Sequence, residues 1–272
     1  MSHSNDLESQ QEQWNRLITI QMNNHPDTKA LANLLANEGH KVTVDHIALR
    51  SVVTREYDFL SLIGDFIDCT PLAEGYTIGD SYFFKDKNVK AVHLNPPDPS
   101  LPKIFFSTLE QELLSEQGRD IIDNLQYGVF SLMSRPYSPR YSEYKVLQQE
   151  SEYAAWVYAN GFIPNHVAFS LNGTDLPIER FTNTPEMNGL GFYFNSVGGD
   201  IKGSKDVLLQ QTSTVATSTM TSFVEGFFPV PGCFVEFILR HKDKNGNLFQ
   251  GFVEGNADKI FHSTDSARSN MG

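Results

Sequence analysis

The sequence predicts an α+β protein in which two βαβββ units pack into a half-open mixed β-barrel, with helices added before and between them. Three observations predict it. Asp45-His46-Ile47-Ala48-Leu49-Arg50 and Asn165-His166-Val167-Ala168-Phe169-Ser170 share the pattern Asx-His-aliphatic-Ala-large apolar-polar, with the histidines 120 residues apart. Each hexapeptide opens a strand that is followed by a helix and then by several strands. Helical periodicity fills the chain ahead of the first copy and between the two. The expected organisation is one domain over 1–272, with pseudo-repeats at about 41–107 and 161–264, N-terminal helices over 6–38 and a helical connector over 108–160.

The elements follow in order. Leu7, Trp14, Leu17, Ile18 and Gln21-Met22 fall on one helical stripe, and His25-Pro26-Asp27 breaks the run. Asp27 is placed to cap a second helix carrying Leu31, Leu34 and Leu35, which Gly39 ends. A β-branched run over 42–50 reads as a strand and 54–66 as an amphipathic helix. Strands are expected over 81–84, 90–93 and 104–106, with Pro96-Pro97-Asp98-Pro99 as a rigid connector. Helical pattern returns over 108–125 and 142–159. The second unit opens as a strand over 165–171, with a short helix after Asp175 reaching Arg180-Phe181. Further strands are expected over 192–195, 207–211, 222–228 and 233–240, with turns at Gly198-Gly199 and Lys244-Asn245-Gly246-Asn247.

Composition narrows the function classes. With 272 residues and 40% apolar side chains the chain can bury a large core, and 12% aromatics argue against bulk disorder. A net charge of −12 with no Lys/Arg run disfavours nucleic acid and anionic membrane as partners. No stretch approaches the roughly 18 apolar residues of a membrane span. The polar N-terminus lacks a signal core, and Cys69 and Cys233 form no CxxC pair. The expectation is a cytoplasmic protein acting on a small molecule, its oligomeric state left open.

Strand alternation places the chemistry. His46, Ala48 and Arg50 share one face of their strand, with Ile47 and Leu49 opposite; His166, Ala168 and Ser170 do the same in the second unit. A small residue between polar ones leaves room for a ligand. Glu236 lies in the apolar run Cys233-Phe234-Val235-Glu236-Phe237-Ile238, where an ionised carboxylate costs several kcal/mol unless paired or metal-bound. Arg240 shares its face and is the competing ion-pair partner. Two histidines and one carboxylate can form a facial triad that leaves positions open on Fe(II), although the same donors also suit manganese or zinc. His93 and His262 stand as outside candidates; His3, His25, His40 and His241 lie in a tail, at helix ends or beside a turn. Gln210-Gln211-Thr212-Ser213-Thr214 can donate hydrogen bonds to a ligand or form an edge strand. No Gly-x-Ser-x-Gly, P-loop or dinucleotide-binding glycine pattern occurs.

Val44-Asp45-His46-Ile47-Ala48-Leu49-Arg50, Leu208-Leu209-Gln210-Gln211-Thr212-Ser213-Thr214 and Pro231-Gly232-Cys233-Phe234-Val235-Glu236-Phe237 resemble blocks of the 2-oxoadipate dioxygenase/decarboxylase family. Leu101-Pro102-Lys103-Ile104-Phe105-Phe106-Ser107 and Asn256-Ala257-Asp258-Lys259-Ile260-Phe261-His262-Ser263-Thr264 are similar to it as well, so the resemblance runs from about residue 40 to 265. It implies a vicinal-oxygen-chelate-like fold and a catalytic Fe(2+) held by His46, His166 and Glu236. It implies Arg50 as the substrate-binding arginine, with further substrate contacts around Gly255 and Asn256. The implied reaction takes a 2-oxo acid and O2: one oxygen drives decarboxylation and the other hydroxylates the shortened acid, so that 2-oxoadipate becomes 2-hydroxyglutarate and CO2. A metal-dependent lyase or isomerase of the same fold and a non-catalytic small-molecule binder are the competing readings.

Overall fold

A computed structural model describes residues 2–55, 57–125 and 135–266, with side chains from residue 9 onward. The first helices are α1 (Ser2–Asn24) and α2 (Pro26–Asn37). Leu7 of the expected stripe lies outside the described side chains, whereas Trp14 and Leu17 are buried. The cap of α2 is His25, not Asp27: Pro26 occupies the first turn, where its missing N–H costs nothing, and Asp27 follows within that turn. Gly39, at φ 84°, turns the chain out of the helix.

The first unit comprises β1 (Val44–Val52), α3 (Phe59–Cys69), β2 (Thr77–Phe84), β3 (Val89–Asn95) and β4 (Lys103–Leu109). Asp58 caps α3 by accepting from the Ser61 amide at 2.8 Å. The helix expected over 108–125 is shorter than its pattern. Because β1 offers pairing as far as Val52↔Leu109, β4 runs on through Thr108 and Leu109, and α4 (Glu116–Asp123) begins only after the Ser115 cap. The helix expected over 142–159 is two helices, α5 (Tyr141–Glu150) and α6 (Glu152–Asn160), divided at Ser151, whose side chain caps α6. Residues 126–134 of the connector lie outside the described residues.

The second unit comprises β5 (Pro164–Ser170), α7 (Pro185–Gly189), β6 (Lys202–Ser204), β7 (Leu209–Ser213), the hairpin β8 (Ser218–Phe223) and β9 (Gly226–Pro231), then β10 (Phe234–Arg240) and α8 (Glu254–Ile260). Two expectations are corrected here. The strand expected over 192–195 is a single bridge, Phe194↔Thr214. The single strand expected over 222–228 is split: its ends belong to β8 and β9, and the chain reverses between them at Val224-Glu225, with Gly226 at φ 139°.

Eight strands form one sheet in the order β2-β3-β4-β1-β5-β10-β7-β6, with β8–β9 separate. β1 pairs in parallel with β4 and β5 with β10, while β1 and β5 meet antiparallel at the centre. The halves are therefore equivalent about the β1–β5 seam, and the sheet curls into a half-open barrel. Register shifts at Val44/His46 and Ala48/Leu49 interrupt that seam, bending β1 where the first histidine sits. Alternation sends Ile47, Leu49, Val167, Phe169, Val235 and Phe237 to the convex core, where α1–α3 cover them with Trp14, Leu31 and Phe66. Each large apolar side chain buried there contributes about 1.5–3 kcal/mol. The concave face carries Ala48, Phe105, Tyr153, Trp156 and Phe252. Among the described residues no helix is long and apolar enough to cross a membrane.

Candidate metal centre

Register assembles three donors on the concave face. His46 pairs across the seam with Ala168, and Ala168 pairs on its other side with Glu236. In the adjoining row His166 lies between Ala48 and Phe234. Each histidine thus stands opposite the alanine of the other copy, and the two missing side chains leave the space in which the imidazoles and carboxylate converge. His46 Nε2 and His166 Nε2 lie 3.3 Å apart, and Glu236 Oε2 lies 3.8 and 3.1 Å from them. Three donors at these separations subtend roughly 95–130° at an ion about 2.1 Å from each, as an N/O site requires. All three are buried, and among the described residues they form the metal-competent cluster of the chain.

The donors are oriented by their neighbours. Asp45 Oδ1 lies 2.9 Å from His46 Nδ1, and Asn165 Oδ1 lies 3.1 Å from His166 Nδ1. Both oxygens accept, so each Nδ1 carries the proton and each Nε2 presents a lone pair to the centre. Gln211 Nε2 donates to Glu236 Oε1 at 2.7 Å, which leaves Oε2 to the imidazoles, and Asn256 Nδ2 donates to Gln211 Oε1 at 2.9 Å. Burial pushes the Glu236 carboxyl up, but its interactions with the imidazoles of His46 and His166 and with the Gln211 amide outweigh it and hold the group below the usual range. Burial lowers His166 to about 4, so its ring is neutral at pH 7. A carboxylate with a neutral imidazole beside it is a donor set ready for a divalent cation.

Arg240 does not pair with Glu236. It makes a bidentate pair with Asp45, Nε–Oδ2 at 2.7 Å and Nη2–Oδ1 at 2.9 Å. Arg50 is 2% exposed and rests against the Tyr153, Phe261 and Trp156 rings, 4.9–5.4 Å from their centroids. Its protein partners are neutral, Thr264 Oγ1 at 2.7 Å and the Phe261 carbonyl at 3.3 Å, and its Nε has no hydrogen bond among the described residues. Burial lowers its pKa to about 10, so it keeps its charge at pH 7. Arg50 and the three donors line one cavity, walled by Phe105, Phe234 and Phe252.

Gly255 is exposed on the first turn of α8 and does not line this cavity. Asn256, its buried neighbour, reaches Glu236 only through Gln211. The part of α8 that faces the cavity is Ala257, the next residue, and Ile260, one turn beyond Asn256. His93 hydrogen-bonds Tyr82 Oη at 2.9 Å and His262 pairs with Asp265 at 2.6 Å, so neither joins the donors. The residues that sequence reading missed are Asp45 and Asn165 as orienting groups. The signal was present, since both are the Asx of the repeated pattern.

The fold and the site define a vicinal-oxygen-chelate-like protein with a His-His-Glu donor set in a half-open barrel. A family model described as 2-oxoadipate dioxygenase/decarboxylase matches residues 127–241. The 2-oxoadipate dioxygenase/decarboxylase, chloroplastic/amyloplastic, of Oryza sativa subsp. japonica is 32% identical over 284 residues, spanning 91% of this chain and 76% of the relative. The crystal structure of the hydroxyglutarate synthase in complex with 2-oxoadipate from Oryza sativa superposes with a TM-score of 0.80 at 29% identity, covering 99% of this chain and 94% of that one. A glyoxalase-superfamily structure from Ralstonia eutropha shares the fold, with a TM-score of 0.73 at 20% identity over 90% of this chain and 86% of that one. The chain belongs to the 2-oxoadipate dioxygenase/decarboxylase family.

Proposed function

We propose that the protein is an Fe(II)-dependent dioxygenase that oxidatively decarboxylates and hydroxylates a small 2-oxo dicarboxylic acid, converting 2-oxoadipate and O2 to 2-hydroxyglutarate and CO2. His46, His166 and Glu236 would hold the iron, which when bound supplies chelation of the 2-oxo acid and the redox chemistry of O2. Three protein donors leave open positions for both reactants. Arg50 offers the second carboxylate of the substrate a bidentate fork, and its aromatic surroundings hold that fork in place. Phe105, Phe234 and Phe252 keep water from the reacting end of the acid.

The single observation that carries this reading is the buried Arg50 cation, which has neutral protein partners and faces the same cavity as the three donors. A buried guanidinium whose hydrogen bonds go only to neutral groups, with the Asp265 carboxylate acting on it through space, is costly, and a dianionic substrate supplies a directly bonded counter-ion. This local cation outweighs the chain's net charge of −12, whose distant members are screened over about 8 Å. The test is oxygen uptake by Fe(II)-loaded protein across 2-oxo acids of increasing length, with CO2 followed in parallel. Uptake matched by CO2 is expected for 2-oxoadipate. No uptake with any acid, despite iron bound in about equal proportion to protein, would leave the lyase or isomerase reading instead.

A further inference from the structure

We infer that the two imidazoles are inequivalent ligands, and that Arg240 is a positioning residue that makes His46 the dominant one; this rests on the metal reading above. The halves of the sheet place His46 and His166 equivalently, yet their orienting partners differ in charge, a carboxylate at Asp45 and an amide at Asn165. A carboxylate behind an imidazole makes it the stronger donor. Such a carboxylate, buried, must be fixed by a cation. Arg240 fixes it through both oxygens, leaving Oδ1 shared between Arg240 Nη2 and His46 Nδ1.

The same guanidinium reaches further. Its Nη1 donates to the Phe249 carbonyl at 3.1 Å and the Gly251 carbonyl at 2.7 Å, and its plane lies 5.0 Å from the Phe252 ring centroid. Phe252 meets the His46 ring edge-on at 4.8 Å and walls the cavity. Arg240 therefore holds His46 from two sides, by its outer nitrogen through Asp45 and by its ring through Phe252. Because Arg240 is on β10 with Glu236, the register of one strand sets two of the three donors. A lysine keeps the charge but cannot form the two parallel bonds to Asp45 and also reach both carbonyls.

The experiment is anaerobic titration with Co²⁺, read by its visible absorption and by competition with a chelator. Wild-type protein is expected to take up one equivalent. Arg240→Lys is expected to bind about 10- to 100-fold more weakly, with a shifted cobalt spectrum and an unchanged near-UV circular dichroism. A folded Arg240→Lys variant with wild-type affinity and spectrum overturns the inference and leaves the metal centre standing. Wild-type protein that takes up no Co²⁺ removes the metal centre and the inference with it. If Arg240→Lys does not fold, Asp45→Asn decides: giving His46 the amide partner that His166 has removes the carboxylate that Arg240 fixes, so Co²⁺ binding should weaken, and a folded Asp45→Asn variant with wild-type affinity and spectrum overturns the inference.

Discussion

Arg50→Lys is the substitution that most directly tests how the site selects its substrate. A guanidinium has five N–H donors, and here two are engaged, by Thr264 Oγ1 and the Phe261 carbonyl. Nε and the remaining N–H groups are left for a carboxylate, enough for two parallel bonds. Lysine has three donors on a point charge, and the same two oxygens can claim two of them, which leaves one for the substrate. The loss is one charge-assisted hydrogen bond, about 1.5–3 kcal/mol, or about 10- to 150-fold in affinity. Because the missing bond is made to the distal carboxylate, the penalty should fall on dicarboxylic acids. The assay is kcat/KM from oxygen uptake for 2-oxoadipate and for 2-oxohexanoate, which has the same chain without that carboxylate. The variant should bind iron as the wild type does and lose most of its preference for the diacid. An unchanged ratio of the two kcat/KM values would refute the placement of Arg50 against the substrate.

Three further outcomes are expected. Glu236→Gln should lose bound iron by elemental analysis while folding normally, because the amide fills the same space between Gln211 and the imidazoles without the charge. Phe105→Glu, at the position in β4 that pairs with Ala48 as Glu236 pairs with Ala168, should add a fourth donor; tighter Co²⁺ binding with lower turnover is the expected pair of results. Burial, with the Lys103 charge behind it, lowers His93 to about 4, so between about pH 6.5 and 4 the unfolded chain binds a proton that the native ring refuses. Stability is therefore lost as pH falls through that window, by roughly 1–3 kcal/mol from this residue, and metal-free His93→Gln should show a shallower fall in Tm between pH 7 and 5.

The site was legible where the rule was local. A period of two put His46, Ala48 and Arg50 on one face and Ile47 and Leu49 on the other, and the echo at Asn165-His166 supplied the second half. Sharing a face is not the same as touching, however. Arg240 is four residues from Glu236 along an extended strand, about 13 Å, beyond easy side-chain reach, and it pairs instead with Asp45, 195 residues away in the chain. Leu109 could not be given to β4 before its partner Val52 was known, nor could the hairpin turn inside 222–228 be seen from its apolar content. Gly255 and Asn256 were placed by resemblance alone; the helical turn of α8 moves the cavity face on to Ala257 and Ile260.

The register also explains why a duplicated fold yields three donors. Strand β4 stands to β1 as β10 stands to β5, so Phe105 occupies the place equivalent to Glu236. Had both copies kept a carboxylate, two histidines and two carboxylates would fill a tetrahedral site and leave a substrate little to bind. Phenylalanine at one of those places opens that side of the centre and lines it with apolar surface. On the same strand face Arg50 stands where the second copy has Ser170, two residues beyond each alanine. One unit thus gives the third ligand, and the other gives the open side and the cation that faces it. A symmetric frame places the two imidazoles, and the departures from symmetry at Phe105 and Arg50 give the cavity the room and the charge that a chelating dianion needs.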